Sequence, residues 1–375
     1  MRDNPLTRLV QCGQSIWLDF LSRTMLVSGE LVSLIQEDGI SGVTSNPAIF
    51  EKAIAGSSGY DDAIAALARQ GLCAVEIYES LAIEDVRMTA DLLRPLYDRL
   101  DGKDGFVSLE VSPHLARDSA GTLLDARRLW ERVDRPNLLI KVPGTWEGLA
   151  AVRQLVREGI NVNVTLLFGI PRYRAAAEAY LDGLSERAAR GLPLTRVASV
   201  ASLFLGRIDL LVDPLLAKIA QGGGGGSLLA AALKGQTAIA CAKAARGVYR
   251  DILEDDRYRA LAARGARPQR LLWASTGTRD PSCSDTKYLE ALIGPDTVST
   301  LPLDTLAAYR DHGRPANRLD HGLQEALGVL ERLYDLGIDL NPLTQQLEDE
   351  GVERFARPYD SLIRNIELKR LAAIS

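Results

Sequence analysis

Short runs of branched apolar residues recur along this chain, and between them apolar positions return every three or four residues. The first pattern is that of buried strands and the second that of amphipathic helices. Strands are predicted over 14–20, 42–46, 106–111, 138–142, 160–167, 196–204, 270–276 and 297–301. Ser28 reads as the N-cap of a helix with Leu31, Leu34 and Ile35 on one face, ended by Gly39. A longer helical excursion covers roughly 59–100. Eight strands, each followed by helix, is the count of a closed (β/α)8 barrel, an α/β fold. A doubly wound open sheet is the main competitor, but it does not need eight such units, and no dinucleotide fingerprint follows the first strand. From about residue 303 the chain is helical, with Val352, Phe355, Tyr359, Leu362, Ile363 and Ile366 spaced as one apolar stripe. These additional C-terminal helices are expected to pack that stripe against the barrel; a lid over its mouth is the second reading. No linker divides the chain, which reads as a single domain over 1–375.

Side chains alternate across a strand, and here the alternation sorts polar from apolar residues. Val162, Val164 and Leu166 oppose Asn161, Asn163 and Thr165. Trp17 and Asp19 share a face, as do Ser108 and Glu110, Thr44 and Asn46, Ser202 and Phe204, and Trp273 and Ser275. Lys141 shares a face with Leu139, just ahead of a Pro-Gly break. Each of these residues alone has an easy structural explanation, and a lone strand-end lysine ordinarily reaches to solvent. Together they put two carboxyls, asparagines, hydroxyls and an amine around one barrel mouth. Structural barrel layers are filled with branched apolar residues, whereas the C-terminal ends of the strands carry chemistry. Burial would pull a lysine pKa down from about 10.4. An amine so placed is suited to attack a carbonyl and form a Schiff base.

Composition narrows the alternatives. Of 375 residues, 46% are hydrophobic and 25% charged, enough to bury a sizeable core. The net charge of −5 gives no general pull toward nucleic acid or an anionic membrane, so any anionic substrate must be held by local groups. No run of about 18 apolar residues occurs, and the start, Met1 to Pro5, lacks a signal-peptide pattern. Cys12, Cys73, Cys241 and Cys283 are scattered without metal or redox spacing, so a cytoplasmic protein with reduced thiols is expected. His114, His312 and His321 have no ligand spacing, and no metal or other cofactor is expected. No Gly-x-Ser-x-Gly elbow accompanies the serines. The five glycines at 222–226 lack the Gly-Lys-Ser/Thr of a phosphate loop and read as a surface loop between helices.

Gly-Val-Thr-Ser-Asn-Pro-Ala-Ile-Phe over 42–50, Leu-Ile-Lys-Val-Pro-Gly-Thr-Trp-Glu-Gly over 139–148 and Ile-Asn-Val-Asn-Val-Thr-Leu-Leu-Phe over 160–168 resemble the signature segments of transaldolases. Ser-Leu-Phe-Leu-Gly-Arg-Ile over 202–208 and Leu-Trp-Ala-Ser-Thr-Gly-Thr over 272–278 continue the resemblance, which spans about 5–372 and is closest to the longer bacterial type. It implies transfer of a dihydroxyacetone unit from a ketose phosphate, sedoheptulose 7-phosphate or fructose 6-phosphate, to an aldose phosphate. Lys141 would carry the Schiff base. Glu110 would move protons through a water held by Thr165, and Asp19 would take the proton of the hydroxyl beside the breaking bond. Thr44, Asn46, Asn163 and Ser202 would hold substrate hydroxyls, and Phe204 and Trp17 the apolar wall. Arg207 and Ser275 would hold the phosphate. Shorter transaldolases carry an arginine two positions after that serine; Gly277 stands there in this chain, and Arg279 is the next cation. The implied partners are small-molecule sugar phosphates, with no nucleic acid or membrane, and the implied state is a monomer or homodimer. The sibling fructose 6-phosphate aldolases, which release free dihydroxyacetone, resemble glutamine at the Glu110 position and tyrosine at the Phe204 position. A catalytically silent sugar-phosphate-binding barrel would be expected to lack the amine or a carboxyl, and neither is missing.

Overall fold

The computed structural model describes residues 4–278, 280 and 282–374. Eight parallel strands close into a barrel in sequence order. They are β1 (Gln14–Leu18), β2 (Ile40–Val43), β3 (Phe106–Glu110), β4 (Leu138–Pro143), β5 (Val162–Leu167), β6 (Ser199–Phe204), β7 (Arg270–Ala274) and β8 (Thr297–Leu301). Helices follow the strands around the outside, and three more close the chain: Leu303–His312, Leu323–Asp335 and Leu340–Ile374. The barrel with C-terminal helices expected from the periodicity is the one found. Among the described residues no helix is long and apolar enough to cross a membrane.

Four strands, β1, β2, β3 and β7, end sooner than the apolar pattern suggests. The ladder ends where the Asp19 amide donates to Leu301 O and the Thr44 amide to Leu18 O, each at 2.8 Å. Beyond that point the chain turns into its next helix. Asn46 caps the helix Pro47–Ala55 by accepting from the Ile49 amide at 3.0 Å, with Pro47 preset for the first turn. Ser275 lies just past β7 in the left-handed region, at φ 54°, so the alternation pairing it with Trp273 stops one residue short. An irregularity in β5 does the same to Leu166, whose φ is 59°. Ser28 is a helix C-cap and not an N-cap. Ser22 caps Arg23–Val27, and the helix expected after Ser28 starts one residue later, with Gly29 at φ 80° as the N-cap of Glu30–Ser33, which runs on as a π-helical turn to Asp38 and ends at Gly39.

At the N-terminal end of the barrel the interior is closed by a buried carboxylate. Asp104 accepts hydrogen bonds from Trp17 Nε1 (2.8 Å), Ser41 Oγ (2.9 Å), the Gly105 amide (3.0 Å) and Ser15 Oγ. Arg270 stands 3.7 Å away and donates to Ser15 Oγ and Thr297 O. The Trp17 indole crosses the barrel against Gly42, where a Cβ would lie 2.5 Å from the ring. Only glycine fits there. Trp17 therefore does not wall the catalytic mouth as expected; its indole N–H draws it down to Asp104 at the opposite end.

The 35-residue helix Leu340–Ile374 lies across the C-terminal mouth. Two ion pairs, Glu348 to Arg172 at 2.9 Å and Lys369 to Asp61 at 2.6 Å, and a hydrogen bond between Asp360 and His114 at 2.8 Å hold it along its length. Its apolar stripe both packs and covers, since Leu362 and Ile366 are fully buried while Phe355 reaches over the mouth.

Removing the Asp104 carboxylate leaves several buried donors unpaired while the mouth is untouched. Asp104→Ala should lose about 3 kcal/mol of stability by urea or guanidinium denaturation, with catalytic turnover of the surviving fold within about twofold of wild type.

Candidate active site at the barrel mouth

Strand register builds the centre of the site. Glu110 on β3 pairs with Lys141 on β4, and Lys141 with Asn163 on β5, so the three side chains form one row facing the barrel axis. Lys141 is only 4% exposed. Its Nζ donates to the Ser45 carbonyl at 3.2 Å and stands 3.2 Å from Glu110 Oε2. That second contact has ion-pair separation without hydrogen-bond alignment. Neither Glu110 oxygen has a hydrogen-bonded protein partner among the described residues, and the same holds for Thr165 Oγ1, fully buried beside Pro143 in the register. Burial pushes the Glu110 carboxyl up to about 7, against the opposing pull of Lys141.

Asp19, just beyond β1, is the second acid. Burial raises its pKa as well, while the Lys141 charge and a hydrogen bond from Thr44 work the other way. Thr44 Oγ1 donates to Asp19 Oδ1 at 2.7 Å and lies 2.7 Å from Thr300 Oγ1. Because the single Thr44 proton goes to Asp19, Thr300 is the donor in the second bond. The two acids thus differ: Asp19 is oriented by a hydroxyl chain, whereas Glu110 is held by packing and charge.

On the other side of Lys141, Asn163 bridges the barrel interior. It donates from Nδ2 to Ser108 Oγ at 3.0 Å and accepts from Ser202 Oγ at 2.7 Å. Asn46 spends its Oδ1 on the helix cap and keeps its Nδ2 to donate. Phe204 lies at the end of β6, its ring 5.6 Å from Phe168 and 6.4 Å from Phe355. Arg207 sits in the first turn of the helix Leu205–Gln221, its guanidinium 5.7 Å from the Phe204 ring centroid. Ser275 reaches the same place because its carbonyl accepts from the Gly206 amide at 3.0 Å. Arg207 and Ser275 line a cavity of about 270 Å³ with Gly277, Lys234, Lys287 and Arg354. Arg279 lies outside the described residues.

The structure therefore brings Asp19, Thr44, Glu110, Lys141, Asn163, Thr165 and Ser202 to the mouth, with Phe204, Arg207 and Ser275 to one side. Three contributors escape the strand pattern. Ser45 acts through its carbonyl, which carries no side-chain signal. Thr300 shares its face of β8 with Val298, so the alternation there does not mark it as polar. Phe355 belongs to the C-terminal stripe, and its ring centroid is 5.2 Å from Lys141 Nζ.

This constellation has counterparts among known proteins. The chain matches the transaldolase/fructose-6-phosphate aldolase family over residues 16–366. It belongs to that family. A protein named transaldolase 2 from Nostoc sp. is 48% identical over 374 residues, covering 98% of both chains. The transaldolase of Thiobacillus denitrificans is 50% identical over 94% of this chain and 97% of its own. That of Thermobifida fusca is 44% identical over 99% of each. The match to the transaldolase/fructose-6-phosphate aldolase family takes in all eight strands from Ile16 onward and most of the helix that crosses the mouth.

The raised Glu110 carboxyl sets a pH dependence. The fold prefers this group protonated, so the cost of ionising it is absent below about pH 4.5, its unperturbed value, and is complete above about 7. Glu110→Gln cannot ionise. Its stability relative to wild type should rise with pH between those limits by about 3 kcal/mol and stay flat on either side. Denaturation curves from pH 4 to pH 8 would show it; a difference growing toward acid would mean that the Lys141 attraction outweighs burial.

Proposed function

We propose that this chain is a transaldolase, moving dihydroxyacetone from sedoheptulose 7-phosphate or fructose 6-phosphate to glyceraldehyde 3-phosphate or erythrose 4-phosphate in the non-oxidative pentose phosphate pathway. The observation that carries the reading is a buried amine 3.2 Å from a carboxyl poised near neutrality, with a second acid at the same mouth. The names of the full-length relatives support it.

Lys141 Nζ attacks the ketose C2 carbonyl. Glu110, able to give or take a proton near pH 7, serves both the addition and the loss of water that yields the iminium. The unpartnered oxygens of Glu110 and Thr165 suit them to hold the water through which that proton passes. Asp19 then takes the C4 hydroxyl proton, the C3–C4 bond breaks, and its electron pair neutralises the iminium as an enamine. The first aldose departs. The enamine adds to the carbonyl carbon of the second aldose, whose oxygen receives the proton from Asp19; hydration of the new iminium frees the product and the amine. Thr44 fixes Asp19, and Asn46, Asn163 and Ser202 hold the hydroxyls of the retained three carbons. Arg207 and Ser275 take the phosphate, the guanidinium supplying charge and hydrogen bonds, with Arg279 the further candidate cation. Phe204 forms the apolar wall.

The family also contains aldolases that release free dihydroxyacetone. Glu110 and Phe204, standing where those siblings resemble glutamine and tyrosine, favour transfer. A cytoplasmic location fits the four free thiols.

Borohydride with fructose 6-phosphate should leave a reduced three-carbon adduct on Lys141, located by peptide mass spectrometry, and Lys141→Ala should lower transfer by about four orders of magnitude. An adduct on another lysine would overturn the assignment, and abundant free dihydroxyacetone in the absence of an acceptor would move the chain to the aldolase branch. Arg207→Ala should raise KM for the ketose phosphate about 10- to 100-fold with kcat within about threefold. An equal loss on the unphosphorylated ketose would separate Arg207 from the phosphate.

A further inference from the structure

Phe355 is the one aromatic side chain that the C-terminal helix sets against the reacting nitrogen. Its ring centroid is 5.2 Å from Lys141 Nζ, and the residue is only 5% exposed. The neighbouring Phe204 ring is 6.4 Å away and carries Arg207 at 5.7 Å. The two rings make an apolar partition leading from the arginine to the amine. On its outer side lies the cavity that Arg207 and Ser275 line, to which Arg354, the residue before Phe355, also contributes. On its inner side lies Lys141.

A rigid element holds this ring in place. The helix is pressed onto the end of β5 because Gly351, one turn before Phe355, carries no Cβ; one placed there would lie 3.1 Å from Leu166 Cδ2. The Arg172–Glu348 pair, at 2.9 Å and largely buried, fixes the turn before that.

We propose that Phe355 is the roof of the reaction chamber and sets the balance between transfer and release by keeping water from the enamine on Lys141. The inference rests on the Schiff-base reading above. The enamine carbon C3 has two fates. It forms a bond to the acceptor's carbonyl carbon while that oxygen takes a proton from Asp19. Alternatively it takes a proton from water and becomes an iminium; a hydroxide or water then adds at C2, and dihydroxyacetone leaves with the Lys141 amine restored, one water being consumed. Both fates begin from the same species, so the water admitted to the chamber decides between them. A phenyl ring offers no proton to C3, and its face tolerates the cationic iminium that precedes and follows the enamine.

The test uses the full-length enzyme with fructose 6-phosphate and erythrose 4-phosphate, and measures free dihydroxyacetone formed per unit transferred. Phe355→Ala should raise that ratio about tenfold or more, Phe355→Val several-fold, and Phe355→Leu, which refills most of the volume, less than about threefold. Borohydride trapping on Lys141 should persist in all three. A ratio unchanged in both the Ala and Val variants, with trapping intact, overturns the roof and leaves the Schiff base standing. A fall in transfer rate with a constant ratio also overturns it, since a merely structural role would do that. Absence of trapping in the wild type would instead overturn the reading beneath it.

Discussion

The structure turns on one buried contact, the Lys141 amine beside the Glu110 carboxyl at 3.2 Å. Taking either group out of water is costly, and their attraction repays that cost only when the geometry is held by something else. Here strand register places the two groups: Glu110, Lys141 and Asn163 occupy one level of the β3–β4–β5 ladder. The contact is also left deliberately incomplete as a hydrogen bond. Burial lifts the acid to about 7 against the pull of Lys141, and both carboxyl oxygens remain without protein donors among the described residues.

The barrel divides its polar interior between two ends with opposite purposes. At the N-terminal end Asp104 is surrounded by donors, and its polar contacts serve stability. At the C-terminal end Glu110 is starved of them. Two buried carboxyl groups in one barrel thus differ in their hydrogen bonding, Asp104 serving as a structural acceptor and Glu110 standing without donors among the described residues. Asp19 lies between these extremes, its Oδ1 held by a Thr44 hydrogen bond that Thr300 backs.

Much of this was legible in the sequence. Eight apolar runs with helical periods between them specify the barrel, and the alternation within β3, β4 and β5 places Glu110, Lys141, Asn163 and Thr165 on one face without reference to any relative. Legibility fails where the chain leaves a regular ladder. Asp19, Thr44 and Ser275 sit just past their strands, where loop and cap geometry replaces alternation. Trp17 obeys the alternation yet faces the wrong depth, because period identifies a face and not a level, and only the partner Asp104 shows which way the indole leans.

Phe355 marks a different limit. Its spacing with Leu362 and Ile366 is that of a packing stripe, and a stripe cannot say which of its members meets a core and which meets a reacting group. The distinction comes from long-range placement, the helix being drawn down at Gly351 and tied at Glu348. The helix is no appendage to the barrel. The family match extends through residue 366, and full-length relatives cover 98% or more of this chain in two of the three comparisons. A mouth whose amine is 4% exposed is covered by this helix, which makes the helix part of the compartment around Lys141. Chemistry that must carry a reactive three-carbon unit from one aldose to another needs such a compartment more than it needs any further functional group.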